Sequence, residues 1–103
     1  MSRALKILAV CGNGMGSSLL VKMALESIMA DLNTYGIIEC TSVSQASGMM
    51  SWADLVITSV AFFKGIEDVI PKDEPVITLK NIFDKQEMMA QVSEFIKNRP
   101  VEE

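Results

Sequence analysis

The 103-residue chain contains no histidine. That absence removes the commonest general base, the commonest protein metal ligand and every cysteine–histidine dyad from its own chemistry. Only two cysteines, Cys11 and Cys40, are present. Two are too few for a disulfide scaffold and suit a reducing compartment. Charged residues make up 21% of the chain against 50% hydrophobic, which excludes a disordered polymer. No apolar run approaches the ~20 residues that span a bilayer. Arg3 and Lys6 flank only Ala4 and Leu5, so the start is no signal peptide. The expected compartment is the cytoplasm, with no direct membrane insertion. The net charge is −4 and the nine basic residues are scattered, so there is no basic stripe for nucleic acid. Repeats, linkers and low-complexity tracts are missing too. The expectation is one domain over residues 1–103, with flexible ends at about 1–5 and 100–103.

What is present alternates in period. "KILAVC" (6–11) is a short apolar run ended by glycine, as expected of a strand buried on both faces. From Gly16 to about Asn33 the pattern predicts a helix, with Leu20, Ala24, Ile28 and Leu32 on its apolar face, Met23 beside them, and Gly36 closing the turn. "IIECTSVS" (37–44) predicts a second strand, "QASGMMSWA" (45–53) a short helix broken near Gly48, and "DLVITSV" (54–60) a third strand opened by an aspartate. "FKGIEDVIP" (63–71) predicts a helical turn or two stopped by Pro71. "PVITLK" (75–80) is the fourth strand, and Asp84 is placed to cap a last helix carrying Met88, Val92, Phe95 and Ile96 on one face. Strands alternating with helices imply right-handed crossovers and a parallel sheet. The expected fold is α/β: a small three-layer, doubly wound, four-stranded parallel sheet of Rossmann-like or flavodoxin-like type. Ligands of such sheets bind beyond the carboxyl ends of the strands, where strand order reverses. Cys11 lies at that end of the first strand, and residues 58–62 leave the third strand on the same edge.

After Cys11 the chain reads Gly12, Asn13, Gly14, Met15, Gly16, Ser17, Ser18. The glycines permit positive φ and close backbone approach. Such a turn can aim successive N–H groups, with those of the following helix, into an anion-binding concavity. No lysine follows the last glycine, so it is not the nucleoside-triphosphate loop, and the spacing is not that of the dinucleotide fingerprint. A thiol of pKa ~8.5 is mostly protonated at neutral pH. A helix dipole supplies up to ~2 kcal/mol and donated N–H bonds add to it, so Cys11 can be mostly thiolate without a histidine. Cysteines are often inert core residues. Three glycines and two serines directly after Cys11 favour a nucleophile with a phosphate cradle instead, a phosphocysteine site. Cys40, in mid-strand, reads as core filler, and a Cys11–Cys40 redox pair would quench the nucleophile. Met23, Met29, Met88 and Met89 read as helix packing, whereas Met15 inside the loop reads either as a docking surface for a protein partner or as local packing.

Cysteine phosphatases carry an arginine six positions after the cysteine. Ser17 stands there, and Arg3 and Arg99 lie near the termini. Water attack on a thiophosphate also needs an acid or base near the loop, and none is adjacent in sequence. The loop suits a relay that holds a phosphoryl group and passes it on.

"KILAVCGNGMGSS" closely resembles the enzyme IIB component of the bacterial phosphoenolpyruvate-dependent sugar phosphotransferase system. "CGNGMGSS" is most similar to the ascorbate type within the lactose/cellobiose-IIB-like superfamily. The resemblance implies a protein-phosphocysteine–sugar phosphotransferase with Cys11 as the phosphorylated nucleophile. It assigns Gly12, Asn13, Gly14, Met15, Gly16, Ser17 and Ser18 to the phosphate-binding loop, with no metal or organic cofactor. It implies a IIA partner that donates from phosphohistidine and a membrane IIC partner that presents the sugar, ascorbate or a related sugar acid or polyol. Ser59 and Phe62 are weaker candidates for the docking rim. The other readings are a low-molecular-weight cysteine phosphatase or arsenate-reductase-like enzyme, and a IIB-like regulatory module.

Overall fold

The computed structural model describes residues 5–11, 15–82 and 84–98, with side chains for all of these but 15–18. Four strands form one parallel sheet: β1 (Leu5–Cys11), β2 (Gly36–Ser42), β3 (Leu55–Ser59) and β4 (Val76–Leu79), in the order β2-β1-β3-β4. Three α-helices, α1 (Met15–Asp31), α2 (Val60–Ile66) and α3 (Lys85–Asn98), and a 3-10 helix (Val43–Met49) connect and cover the strands. The doubly wound α/β expectation is met.

β1 and β3 are continuous apolar runs because both of their faces are covered. Six of the seven β1 residues and all five β3 residues are buried, as in sheets with helices on both sides. On one face Leu5, Ile7, Ala9 and Cys11 pack with Val21, Leu25, Ile28 and Met29 of α1 and with Met88 and Val92 of α3. On the other, Leu8 and Val10 pack with Ala46 of the 3-10 helix, Met50, Val56 and Ile66 of α2. Each of these aliphatic side chains contributes about 1.5–3 kcal/mol by leaving water. Leu5, assigned to a loose end by sequence, opens β1 and is fully buried.

Several boundaries move for identifiable reasons. The turn after α1 is made by Asn33, which takes the left-handed conformation at φ 55°, while the Thr34 N–H donates to the Met29 carbonyl at 2.9 Å. Asparagine tolerates that region, so Gly36 is free to open β2. β2 stops at Ser42 because Val43 begins the 3-10 helix. α2 starts at Val60, three residues earlier than predicted, because the Ser59 hydroxyl accepts from the Phe62 N–H at 3.3 Å and caps it. Gly65 sits where an added Cβ would come within 2.7 Å of a Val43 methyl group, so the missing side chain lets α2 lie close to the 3-10 helix. α3 begins as expected: Asp84 Oδ1 accepts from the N–H groups of Gln86 (3.0 Å) and Glu87 (3.2 Å). The Glu87 carboxylate accepts in turn from the Lys80 and Asn81 N–H groups, tying the helix to the end of β4.

The buried stripe of α1 differs from the one predicted. Val21, Leu25, Ile28 and Met29 face the sheet, while Leu19, Leu20 and Met23 are exposed at 59%, 62% and 56%. Apolar residues surround the first half of this helix, so periodicity alone does not orient it.

At the amino edge of the sheet Asp54 joins β3 to β1. Its Oδ2 accepts from the Lys6 N–H at 3.1 Å, and its own N–H donates to the Lys6 carbonyl at 2.7 Å. Partial burial, then the Asp54 charge, raises the pKa of Glu74 above its ordinary 4.5. Between the ordinary and the raised value the folded state binds the extra proton, so this group's contribution to stability falls as pH rises through that window. Glu74→Gln is expected to melt higher than wild type at pH 7, with the gain fading as pH falls to 4.5 and below; thermal melts across that range check it.

Candidate functional site

β1 lies between β2 and β3, so the chain leaves the sheet in opposite directions from two adjacent strand ends. From β1 it turns to the α1 face, and from β3 to the α2 face. The crevice of a doubly wound sheet forms where such neighbours diverge, here beyond Cys11 and Ser59. Cys11 is the last residue of β1, and α1 starts four positions later at Met15. α1 carries no acidic residue in its first turn, so nothing there opposes its dipole toward an anion.

The Cys11 side chain is 2% exposed and belongs to the core layer under α1. The thiol is thus also a packed residue. Gly12, Asn13 and Gly14 lie outside the described residues. Met15, Gly16, Ser17 and Ser18 form the first turn of α1, and their side chains lie outside the description. The docking role read for Met15 is therefore untouched by the structure.

The frame around Cys11 is fixed from both neighbours. The ladders pair Cys11 with Ser42 of β2, and Val10 with Thr58 of β3. Thr58, fully buried, donates from its hydroxyl to the Val10 carbonyl at 3.0 Å. This bond fastens β3 to β1 one residue before the cysteine. Ser59 is 94% covered and occupied in capping α2, which removes it from a docking rim; Phe62 is half-buried.

Sequence reasoning read Cys40 as core filler and set a Cys11–Cys40 redox pair aside. Cys40 is half-buried in mid-β2 and packs against the same core layer as Cys11. Its thiol also makes a side-chain hydrogen bond with Cys11. That bond, then burial, then the Cys11 charge push the Cys40 pKa far up, with Glu39 adding to the rise and Lys22 opposing it. No disulfide joins the two cysteines. Only strand register brings them together, and spacing along the chain carries no trace of it. Among the described residues no group of three or more histidine, cysteine, aspartate or glutamate side chains could hold a metal ion, and no helix is long and apolar enough to cross a membrane.

The profile of the family described as "PTS system, Lactose/Cellobiose specific IIB subunit" matches residues 6–94. An "Ascorbate-specific PTS system EIIB component" of Mycoplasma pneumoniae is 42% identical over 59 residues, 57% of this chain and 62% of that protein. A protein of the same name from Shigella flexneri is 28% identical over 92 residues, 89% of each chain. Among solved structures, the lactose-specific IIB component domain of the phosphoenolpyruvate:carbohydrate phosphotransferase system from Streptococcus pneumoniae superposes with a TM-score of 0.64. It has 14% identity and covers 92% of this chain and 96% of that one, a likeness of fold.

Thr58→Val keeps the volume and removes the donor to Val10. A loss of about 1 kcal/mol in urea unfolding is expected, with the circular dichroism of the folded state unchanged.

Proposed function

Because the chain belongs to the lactose/cellobiose-specific IIB family of the phosphotransferase system, we propose that it is a phosphoryl relay with Cys11 as the carrier. One observation supports this reading above the others: Cys11 ends β1 at the divergence of β1 and β3, four residues before the amino end of a 17-residue helix. Residues 12–18 form the cradle, chiefly through backbone N–H groups, with the Ser17 and Ser18 hydroxyls as further donors.

In the proposed reaction the Cys11 thiolate attacks the phosphorus of a phosphohistidine on a IIA partner. The P–N bond breaks and its electron pair returns to the imidazole. At delivery a hydroxyl of the sugar, held by a membrane IIC partner, attacks the same phosphorus. The S–P bond then breaks, its pair returns to Cys11 as thiolate, and the hydroxyl's proton passes to a base supplied with the acceptor. No metal or organic cofactor takes part. The donor histidine must come from outside, since this chain has none. The relay works in the cytoplasm against the inner face of the transporter.

Exposed Leu19, Leu20 and Met23, in the first half of the helix that follows the loop, favour protein partners that dock over the sulfur. Apolar side chains left in water on the helix that follows the loop fit a surface covered during transfer. The relatives named for ascorbate favour a sugar acid as the cargo. Ser17 in place of the phosphatase arginine argues against hydrolysis.

Incubating the protein with phosphoenolpyruvate, the general phosphocarriers and an ascorbate-type IIA, then weighing it intact, tests the proposal. The expected result is a gain of one phosphoryl group, ~80 Da, mapped to Cys11. Cys11→Ser should melt near the wild-type temperature and transfer at least about a hundredfold more slowly, for want of a thiolate. Wild-type transfer by that variant would remove Cys11 from the mechanism.

A further inference from the structure

The reading of Cys11 as carrier leaves Cys40 without a role, yet its surroundings are not those of filler. Cys40 pairs with Ala9 and Cys11 pairs with Ser42. The two cysteines therefore stand two residues out of step on neighbouring strands, with side chains on the same face. Both lie in the layer between the sheet and α1, and their side chains are hydrogen-bonded. Diagonal neighbours on adjacent strands are about 7–8 Å apart at Cα, beyond the roughly 7 Å that a disulfide bridges without backbone movement. This register favours contact between the sulfurs over a bond.

We infer that Cys40 is a positioning residue for Cys11, its S–H donating to the Cys11 sulfur so that the thiolate is favoured and the sulfur is held at the end of β1. The inference rests on the reading of Cys11 as the phosphoryl carrier. The direction of the bond follows from position. Cys11 ends β1 four residues before the amino end of α1, where an anion is favoured, whereas Cys40 sits in mid-β2. The raised pKa of Cys40 agrees with that direction. The charged groups facing the pair are Lys22 of α1 and Glu39 of β2; the 3-10 helix packed beside β2 carries none. A thiol that stays protonated is a donor and a poor nucleophile. Cys40 thus assists Cys11 without competing for the phosphoryl group. It also meets the negative charge that returns to sulfur when the S–P bond breaks.

The test is the pH dependence of Cys11 alkylation by iodoacetamide in wild type, Cys40→Ala and Cys40→Ser, followed on the Cys11 peptide by mass spectrometry. Cys11→Ser supplies the background. In Cys40→Ala the midpoint should rise by about 0.5–1 pH unit, the effect of one weak donor to a thiolate. Reactivity at neutral pH should drop about three- to tenfold. Cys40→Ser, which keeps a donor, should retain most of the wild-type midpoint, a rescue that a packing role would not give. If alanine leaves the protein unfolded, Cys40→Val removes the donor with less loss of volume. An unmoved midpoint in a folded Ala or Val variant, or equal shifts in these and the serine variant, overturns the inference. Alkylation involves no phosphate, so the two readings fail separately. A shifted midpoint in a protein that never gains phosphoryl mass supports the thiol pair and sinks the relay. Normal phosphoryl loading with an unmoved midpoint sinks the pair alone.

Discussion

β1 is hydrogen-bonded on both sides, to β2 along its whole length and to β3 from Ile7 to Val10, and the geometry at its carboxyl end depends on those two ladders. The ladder to β2 sets Cys40 diagonally from Cys11. The ladder to β3 brings Thr58 against the Val10 carbonyl and sends the two chains to opposite faces. A one-residue slip of β2 would turn Cys40 to the other side of the sheet and separate the sulfurs. Register on this scale is held by burial: Leu5, Ile7, Ala9 and Cys11 belong to one core layer, Leu8 and Val10 to the other. Any slip exchanges well-packed partners for poor ones.

Under the proposed function the same burial makes Cys11 an unusual nucleophile. A thiol at 2% exposure is shielded from bulk solvent, which raises the cost of its charge unless donors meet it. Under the proposed function those donors are the amide groups after Cys11, the amino end of α1 and the Cys40 thiol. A sulfur placed so deep is also hard for water to reach, which suits a group that is to be handed on.

Much of this architecture was legible in the sequence, and the gaps have physical causes. β1 and β3, covered on both faces, announce themselves as unbroken apolar runs. The half-exposed edge strands β2 and β4 show as short runs bounded by turn residues, so all four strands were found. Asp84 announces α3 because an acceptor ahead of a periodic apolar run has one common use. Cys11 stood out because three glycines and two serines follow it. The face of α1 was misread because Leu19, Leu20 and Met23 are as apolar as the residues that are buried, and no polar stripe marks the solvent side. The turn at Asn33 was given to Gly36 because glycine is the stronger prior for a left-handed residue. Ser59 was placed on a rim because its role as a cap depends on α2 beginning at Val60, inside a run that reads as strand. Cys40 was read as filler, and its pairing with Cys11 only as a redox possibility, because the register that sets the two side chains together comes from pairing of distant segments.

The exposed apolar residues of α1 and the missing histidine are two sides of one division of labour. A relay that carried its own general base would activate water against the group it is meant to keep. Without a histidine, and with the Cys40 pKa raised, Cys11 and Cys40 would act in the proposed relay by electrostatics and shape, and the proton chemistry would fall to the partner proteins. Under that proposal the partners would have to come close enough to exclude water from the sulfur. Leu19, Leu20 and Met23 gain by being covered, and burying each would contribute about 1.5–3 kcal/mol before the costs of association. Such a contact is worth most when it is transient: strong enough to seal the site for one transfer, weak enough to release the chain to its next partner. An apolar patch of three side chains on the first half of one helix suits both demands better than a broad interface, because few side chains limit affinity.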